Sequence, residues 1–470
     1  MDTLTTPVEN KSFRDSVATI SSEGKRNWIY AQQPKGRLYT ARTIVSIVYL
    51  LLFFSLPFAR LNDNPVFLFN ILERKFIFFG ITFWPQDFFI FGIGMLAFIV
   101  FIVVFTVVFG RVFCGWVCPQ TIFMEMVFRR IEYWIEGDAA HQKLLNKAPY
   151  TTEKIIKKTS KHLVFFLLAF IIANTFLAYV IGTEELFRIV REPLSQHVGS
   201  FVSLLVFTGV FYGVYAWFRE QVCLIVCPYG RLQGVMTDRN SILVAYDYIR
   251  GEPREKFKKS SIKAKGDCID CNQCVKVCPV AIDIRNGTQL ECTNCTACID
   301  ACDFMMEKTG KPKGLIRYAS ENGIAAKEKL RITPRIIAYS CVLLALIGVL
   351  VILLATRKDI DATVFRTPGM LFQKQENDTI SNLYNIRLIN KTHKDVPLTF
   401  KLEGTEGTIK MIGKGVVVNK ESKAESEFFI FIPKDKIKER KTVVYVGVYA
   451  GDKKISRVKT SFLGPVVLSP

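Results

Sequence analysis

Histidine is scarce in this chain: 470 residues hold four, His141, His162, His197 and His393. A haem inside a membrane needs axial ligands within apolar spans, and none of the four lies deep in one, so no haem is expected. Acidic residues are few as well. Asp and Glu total 42 against 62 Lys and Arg, a formal charge of +20. Such an excess can mark a nucleic-acid binder, but the positions of the charges point elsewhere, and no nucleic-acid partner is expected. The first forty residues lack an apolar core and a small-residue cleavage site, so no cleaved signal peptide is expected. Cysteine is absent after Cys341, so no disulfide staples whatever the tail forms.

What is abundant is apolar sequence, half of the chain, clumped into long runs. Phe88 to Phe109 carries no charge and suffices for about 30 Å of hydrocarbon. Four further runs cover about Thr43 to Ala59, Leu163 to Ile181, Val198 to Phe218 and Ile336 to Ala355. Residues 60–86 mix apolar patches with Asp63, Glu73, Arg74 and Lys75 and read as an interfacial re-entry. Residues 1–40 are polar; their Trp28 and Tyr30 among basic residues read as an interfacial belt, on the membrane surface or in solvent.

Lys and Arg number 35 in segments 1–40, 111–161 and 219–335, against 5 in the alternating loops 60–86 and 182–197. The positive-inside rule places the first set in the cytoplasm. Five spans then put residues 357–470 outside, because long domains cross largely regardless of charge. The basic excess is mostly a topology signal. Within that tail, Val396 to Leu402, Val416 to Val418, Phe428 to Ile432, Val443 to Tyr449 and Ile455 to Phe462 read as short strands of a disulfide-free β-sandwich.

Eight of the thirteen cysteines fall in two matched blocks. Cys268, Cys271, Cys274 and Cys278 form the first; Cys292, Cys295, Cys298 and Cys302 form the second. Each is C-x2-C-x2-C-x3-C. In two-cluster ferredoxins the fourth cysteine of each block serves the other block's centre. The expected ligand sets are therefore Cys268, Cys271, Cys274 and Cys302 for one [4Fe–4S] cluster, and Cys278, Cys292, Cys295 and Cys298 for the second. Zinc sites take four ligands from short pairs, and disulfide scaffolds belong to small secreted domains; neither fits.

Four more cysteines stand at span ends: Cys114 with Cys118 and Cys223 with Cys227, each pair C-x3-C-P. On a helix such a spacing puts both thiols on one face, and the proline ends or kinks the helix. The two pairs sit at equivalent depth and can face each other. Three readings compete: small buried apolar residues, a four-thiolate site for a third cluster, or a soft thiolate site for copper. Spacing does not separate the last two. Cys341, alone in the fifth run, reads as a packed thiol.

The chain resembles the FixG/CcoG family of accessory proteins for cbb3-type cytochrome oxidases. The resemblance rests on Gly24-Lys-Arg-Asn-Trp-Ile-Tyr30, Phe113-Cys-Gly-Trp-Val-Cys-Pro-Gln-Thr121, Cys223-Leu-Ile-Val-Cys-Pro-Tyr-Gly-Arg-Leu-Gln233, Asp238-Arg-Asn-Ser241, Ala245-Tyr-Asp-Tyr-Ile-Arg-Gly-Glu-Pro-Arg254 and the double cluster block. It implies an α-helical polytopic protein of the bacterial inner membrane with five transmembrane helices. A cytoplasmic N-terminal segment (1–40) and a four-helix membrane domain (41–235) would precede a 2x[4Fe–4S] ferredoxin-like cytoplasmic domain (236–335). A fifth helix (336–356) and a periplasmic Ig-like β-sandwich (357–470) would follow. It also implies a cupric reductase acting in oxidase assembly, with copper at Cys114, Cys118, Cys223 and Cys227. The implied partners are a copper chaperone or transporter, the oxidase assembly, a cytoplasmic electron donor and a second copy in a homodimer. A reading from another class is a quinol-linked electron-relay subunit serving a periplasmic reductase. A third is a scaffold whose clusters are structural.

Overall fold

The computed structural model describes Thr19 and residues 25–465, apart from 62–63, 72–74, 193–197, 257–265, 327–332, 376–377, 393, 414 and 438. His197, His393, Gly24, Asp63, Glu73 and Arg74 therefore lie outside the described residues. Among those described, five helices are long and apolar enough to cross a membrane: Arg37–Ser55, Phe88–Phe109, Thr152–Ile181, Val198–Phe218 and Pro334–Ala355. The second and fourth match the sequence-based bounds. The third begins eleven residues earlier, where Thr151 caps it by accepting from the Lys154 amide at 3.3 Å. That first stretch is charged, so a hydropathy reading trims it although the helix continues. The chain divides into two compact units, each taken by itself.

The larger unit holds most of the spans and the cysteine-rich segment. Leu243–Tyr246 pairs antiparallel with Ile316–Ala319, and this ribbon brackets the two cysteine blocks. The blocks are near copies in backbone as well as in spacing. Asp270 and Asn294 hold equivalent left-handed conformations (φ 48 and 54), as do Asn272 and Thr296 (φ 58 and 65). Asp and Asn tolerate that region; Thr296, being β-branched, adopts it at a cost. Short helices follow each loop, Gln273–Lys276 and Ala297–Lys308.

The N-terminal segment was expected on the membrane surface or in solvent; its described part instead bolts this unit together. The Trp28 ring lies between the guanidinium groups of Arg26 and Arg219, 4.7 and 4.8 Å from its centroid. The Gln32 amide donates to the Lys276 carbonyl at 2.7 Å. Asp300, between two cluster-block cysteines, accepts from the amides of Leu38 and Tyr39 at 3.1 and 2.7 Å. It thus caps the first span from outside the helix. A Cβ on Gly36 (φ 154) would lie 2.4 Å from the Asp300 Cγ, so this junction requires glycine.

Residues 120–161, amphipathic in sequence, carry a buried ion network. Glu132 accepts two hydrogen bonds from Arg219, at 3.0 and 2.8 Å. Lys161 lies 3.5 Å from Glu132 and 2.8 Å from Glu136, and all four are buried.

The smaller unit comprises residues 60–66, 74–91 and 349–470. Its sandwich has one five-stranded sheet, Thr408–Met411, Lys423–Pro433, Thr379–Asn390 and Ile360–Arg366 with Gln373–Gln375 on the third of these. The other sheet runs Val416–Val418, Val396–Glu403, Lys441–Ala450, Lys453–Leu463. Tyr384, Phe428, Val446 and Phe462 fill the core. The sequence reading missed Ile360–Arg366, Thr379–Asn390 and Thr408–Met411. Residues 75–83, read as part of an interfacial re-entry, form a strand pair, Lys75–Phe78 with Ile81–Phe83. Lys75 in that ribbon lies 3.3 Å from Glu421, and Asp87, just beyond it, holds Lys391 at 2.6 Å and Arg357 at 2.8 Å. Cys341 is exposed, not packed. No residue of Pro334–Ala355 is buried; an apolar helix facing lipid and one facing protein look alike in sequence, so residue type alone does not separate them.

Replacing Glu132 by Gln leaves buried cations uncompensated. This should cost roughly 3–5 kcal/mol and lower the apparent unfolding temperature of the detergent-solubilised chain. Burial pushes the Glu132 carboxyl up, but Arg219, Lys161 and Arg129 outweigh it and hold the group below its ordinary 4.5. The wild-type advantage should therefore be complete above pH 4.5 and fade as pH falls through the lower folded value. Equal melting of both proteins at neutral pH would contradict this.

Candidate redox site

Cys274, Cys278, Cys292, Cys295 and Cys298 line one cavity, with Val244, Val280, Ile282 and Ile284 completing much of its wall. Three come from the second block and two from the first, and of those two Cys278 lies within electrostatic range of Cys295 and Cys292. Cys302, conversely, lies within electrostatic range of Cys274, Cys271 and Cys268. Each fourth cysteine thus sits with the opposite block, because Gln273–Lys276 and Ala297–Lys308 each carry the chain across between the third and fourth positions.

Burial dominates the chemistry of these sulfurs. It pushes the thiols of Cys274 and Cys302 up to about 12 and that of Cys292 to about 11; Cys278 and Cys298 are raised too. Sulfurs in so dry a place carry charge only when cations share the space. Four soft donors around a cavity, wrapped by paired left-handed loops, fit an iron–sulfur cube.

The two C-x3-C-P motifs do not lie on regular helical faces as expected. Val112–Trp116 is a single helical turn, and Cys118 leaves it with ψ 126. Val222–Val226 is a wide π-type turn, and Cys227 leaves it with ψ 110. Each is followed by proline at the first position of the next helix. Proline disfavours helical backbone in the residue before it and suits a helix start. The two copies share one further feature: the amide of the second cysteine reaches five residues back, Cys118 to the Phe113 carbonyl at 2.9 Å and Cys227 to the Val222 carbonyl at 2.8 Å.

All four thiols come together. Cys223 lies in electrostatic range of Cys118, Cys114 and Cys227, and burial pushes it up to about 12 and Cys114 to about 11. Among the described residues no three Cys, His, Asp or Glu side chains close around a single ion. The thiols are gathered but not drawn in to coordination distance.

The membrane motif touches the ferredoxin-like segment directly. A Cβ on Gly115 would stand 2.5 Å from the Thr293 carbonyl oxygen and 2.9 Å from that of Asn294. Trp116 Nε1 donates to the Tyr318 hydroxyl at 3.2 Å, which donates to the Asn294 carbonyl at 3.4 Å. The loop Cys292–Cys295 is therefore the part of the double block that meets the Val112–Trp116 turn.

Sequence reasoning missed Gly115, Asn294, Arg111 and Gln233. Gln233 is fully buried; its Oε1 accepts from Arg111 Nε at 2.7 Å and from the Cys114 thiol at 3.3 Å. Its importance comes from a partner 119 residues away, which no local pattern reveals. Arg111 stood visibly three residues before Cys114 and read only as a positive-inside charge.

Exchanging Cys278 for Ser should disturb the centre that shares the cavity with Cys292, Cys295 and Cys298. The signature is one of two reduced-cluster EPR signals lost or altered, with the other intact. Loss of the Cys268–Cys271–Cys274 centre instead would refute the crossed arrangement.

Residues 218–321 match a 4Fe-4S dicluster domain model, residues 91–138 a 4Fe-4S binding domain model, and residues 350–465 the IG-like fold at the C-terminal of FixG. The chain is 30% identical to nitrogen fixation protein FixG of Rhizobium meliloti, with 88% of each chain covered. It is 33% identical to protein RdxA of Cereibacter sphaeroides over 81% of this chain and 83% of that one. Membrane helices, a two-cluster segment and an Ig-like tail recur along nearly the whole length, and the chain belongs to the FixG family of iron–sulfur oxidoreductases.

Proposed function

We propose that this protein reduces Cu(II) to Cu(I) at Cys114, Cys118, Cys223 and Cys227, for copper delivery during assembly of a cbb3-type oxidase. The observation that carries the reading is the contact of the Cys114–Cys118 turn with the Cys292–Cys295 loop. A [4Fe–4S] centre supplies electrons singly, and Cu(II) takes up one to become Cu(I). The electron is replaced by a cytoplasmic donor.

The chain's own residues do the rest. Soft thiolates favour Cu(I) over Cu(II), so the four sulfurs bias the acceptor toward product. Gly115 removes the side chain that would hold the two segments apart. Trp116 and Tyr318 pin the same junction. The Lys and Arg distribution supports a cytoplasmic ferredoxin segment and a periplasmic tail in a bacterial inner membrane. A copper chaperone or transporter, and a second copy of the chain, complete the proposed set of partners.

One observation favours a second reading. Residues 91–138 match a 4Fe-4S binding model and contain Cys114 and Cys118 but none of the eight block cysteines. The membrane thiols would then hold a third cluster in a quinol-linked electron relay. Iron analysis separates the two: about eight per chain for copper reduction, about twelve for the relay.

A Cys114→Ser, Cys227→Ser double variant should lose copper reduction, assayed by Cu(I) chelator absorbance, while keeping about eight iron. Unchanged reduction would remove the membrane thiols from the reaction.

A further inference from the structure

Arg111 is a buried cation with no acid. It is 6% exposed. Its Nε donates to Gln233 at 2.7 Å and its Nη1 to the Leu290 carbonyl; among the described residues no Asp or Glu forms an ion pair with it. Its counterpart before the second motif, Arg219, is held by Glu132. A buried guanidinium keeps its charge, and such a charge requires a negative partner.

The candidates for that partner surround it. Cys114 shares the Gln233 Oε1 with Arg111. A Cβ on Gly230 would meet Arg111 Nη2 at 2.8 Å and the Cys223 carbonyl oxygen at 2.6 Å, so the guanidinium also reaches the second motif. On its other side, Arg111, Cys292 and Asn294 line one cavity. Asn294 is 1% exposed and its Nδ2 has no hydrogen-bond partner. The Cys292 thiol donates to Asn294 Oδ1 at 3.6 Å, and the Arg111 charge lies within electrostatic range of the same sulfur.

We propose that Arg111 is the shared counter-charge of the two metal sites, a positioning residue that sets the potential of the Cys278–Cys292–Cys295–Cys298 centre against the membrane thiolates. A fixed cation nearby favours the more negative, reduced form of a cluster. One side chain would thereby keep the last carrier reducible. The inference rests on the proposed redox reading but does not require copper to be the acceptor.

The test is an EPR-monitored redox titration of the full-length, anaerobically purified protein without copper. Arg111→Gln should cut the reduced-to-oxidised ratio of the Cys278-sensitive centre at least tenfold at fixed ambient potential, about 59 mV for one electron. The other centre should not move, and Arg111→Lys, which keeps the charge, should restore the native value. Both centres moving together, or neither moving with iron content intact, would overturn the proposal. If Arg111→Gln loses its iron, Arg111→Lys decides: native potentials with full iron support a charge role, and iron loss there too shows that only the hydrogen bonds to Gln233 and Leu290 matter. Because copper is absent, failure of copper reduction leaves this result unaffected.

Discussion

The structure depends on one close approach. Gly115, inside the first C-x3-C-P motif, lies so near the Thr293 carbonyl that a Cβ there would stand 2.5 Å away. Electron transfer weakens steeply with distance, so a membrane site is served only by a carrier held against it. The rest of the larger unit keeps that contact in place. Leu243–Tyr246 and Ile316–Ala319 frame the ligand loops, Tyr318 links Trp116 to Asn294, and the N-terminal segment ties the ferredoxin-like part to the first span through Gln32 and Asp300. The Gly24–Tyr30 motif, unremarkable as an interfacial belt, gains a purpose here: Trp28 between two guanidinium groups is a clamp.

Charge is distributed around the contact with equal care. Two motifs of one pattern meet at the thiols, yet their arginines differ. Arg219 is satisfied by Glu132 within a network that reaches Lys161 and Glu136. That network is structural, since its charges compensate one another. Among the described residues Arg111 hydrogen-bonds to neutral groups, Gln233 and the Leu290 carbonyl, with the Cys114 thiol on the same Gln233 oxygen. Pseudo-symmetry in sequence has become a difference in structure, one arginine within an acid network and the other among neutral groups beside the thiols.

Much of this was legible from residues alone. Five apolar runs became five helices, because composition at that length leaves the backbone few alternatives in lipid. The cysteine spacing carried over into paired loops because both blocks solve the same wrapping problem. What escaped was non-local or conformational. Gln233 and Asn294 are ordinary polar residues until a distant chain segment arrives. Cys118 and Cys227 looked helical by spacing, and the prolines that follow them impose extended backbone instead. The strand Thr379–Asn390 carries polar residues at buried positions, such as Ser381 and Asn382, which blurs its alternation. Residues 75–83 looked like a membrane re-entry because a short apolar strand pair and a segment lying at lipid carry the same residue types.

The central claim is that electrons leave the double-cluster segment at the four membrane thiols. Mixing dithionite-reduced, desalted protein with Cu(II) under anaerobic rapid-freeze conditions, and following both metals by EPR, tests it most directly. The account predicts that the reduced-cluster signal and the Cu(II) signal disappear together, one electron for one ion, with the copper retained as Cu(I) on the protein. Reduced clusters that persist beside an undiminished Cu(II) signal would contradict it.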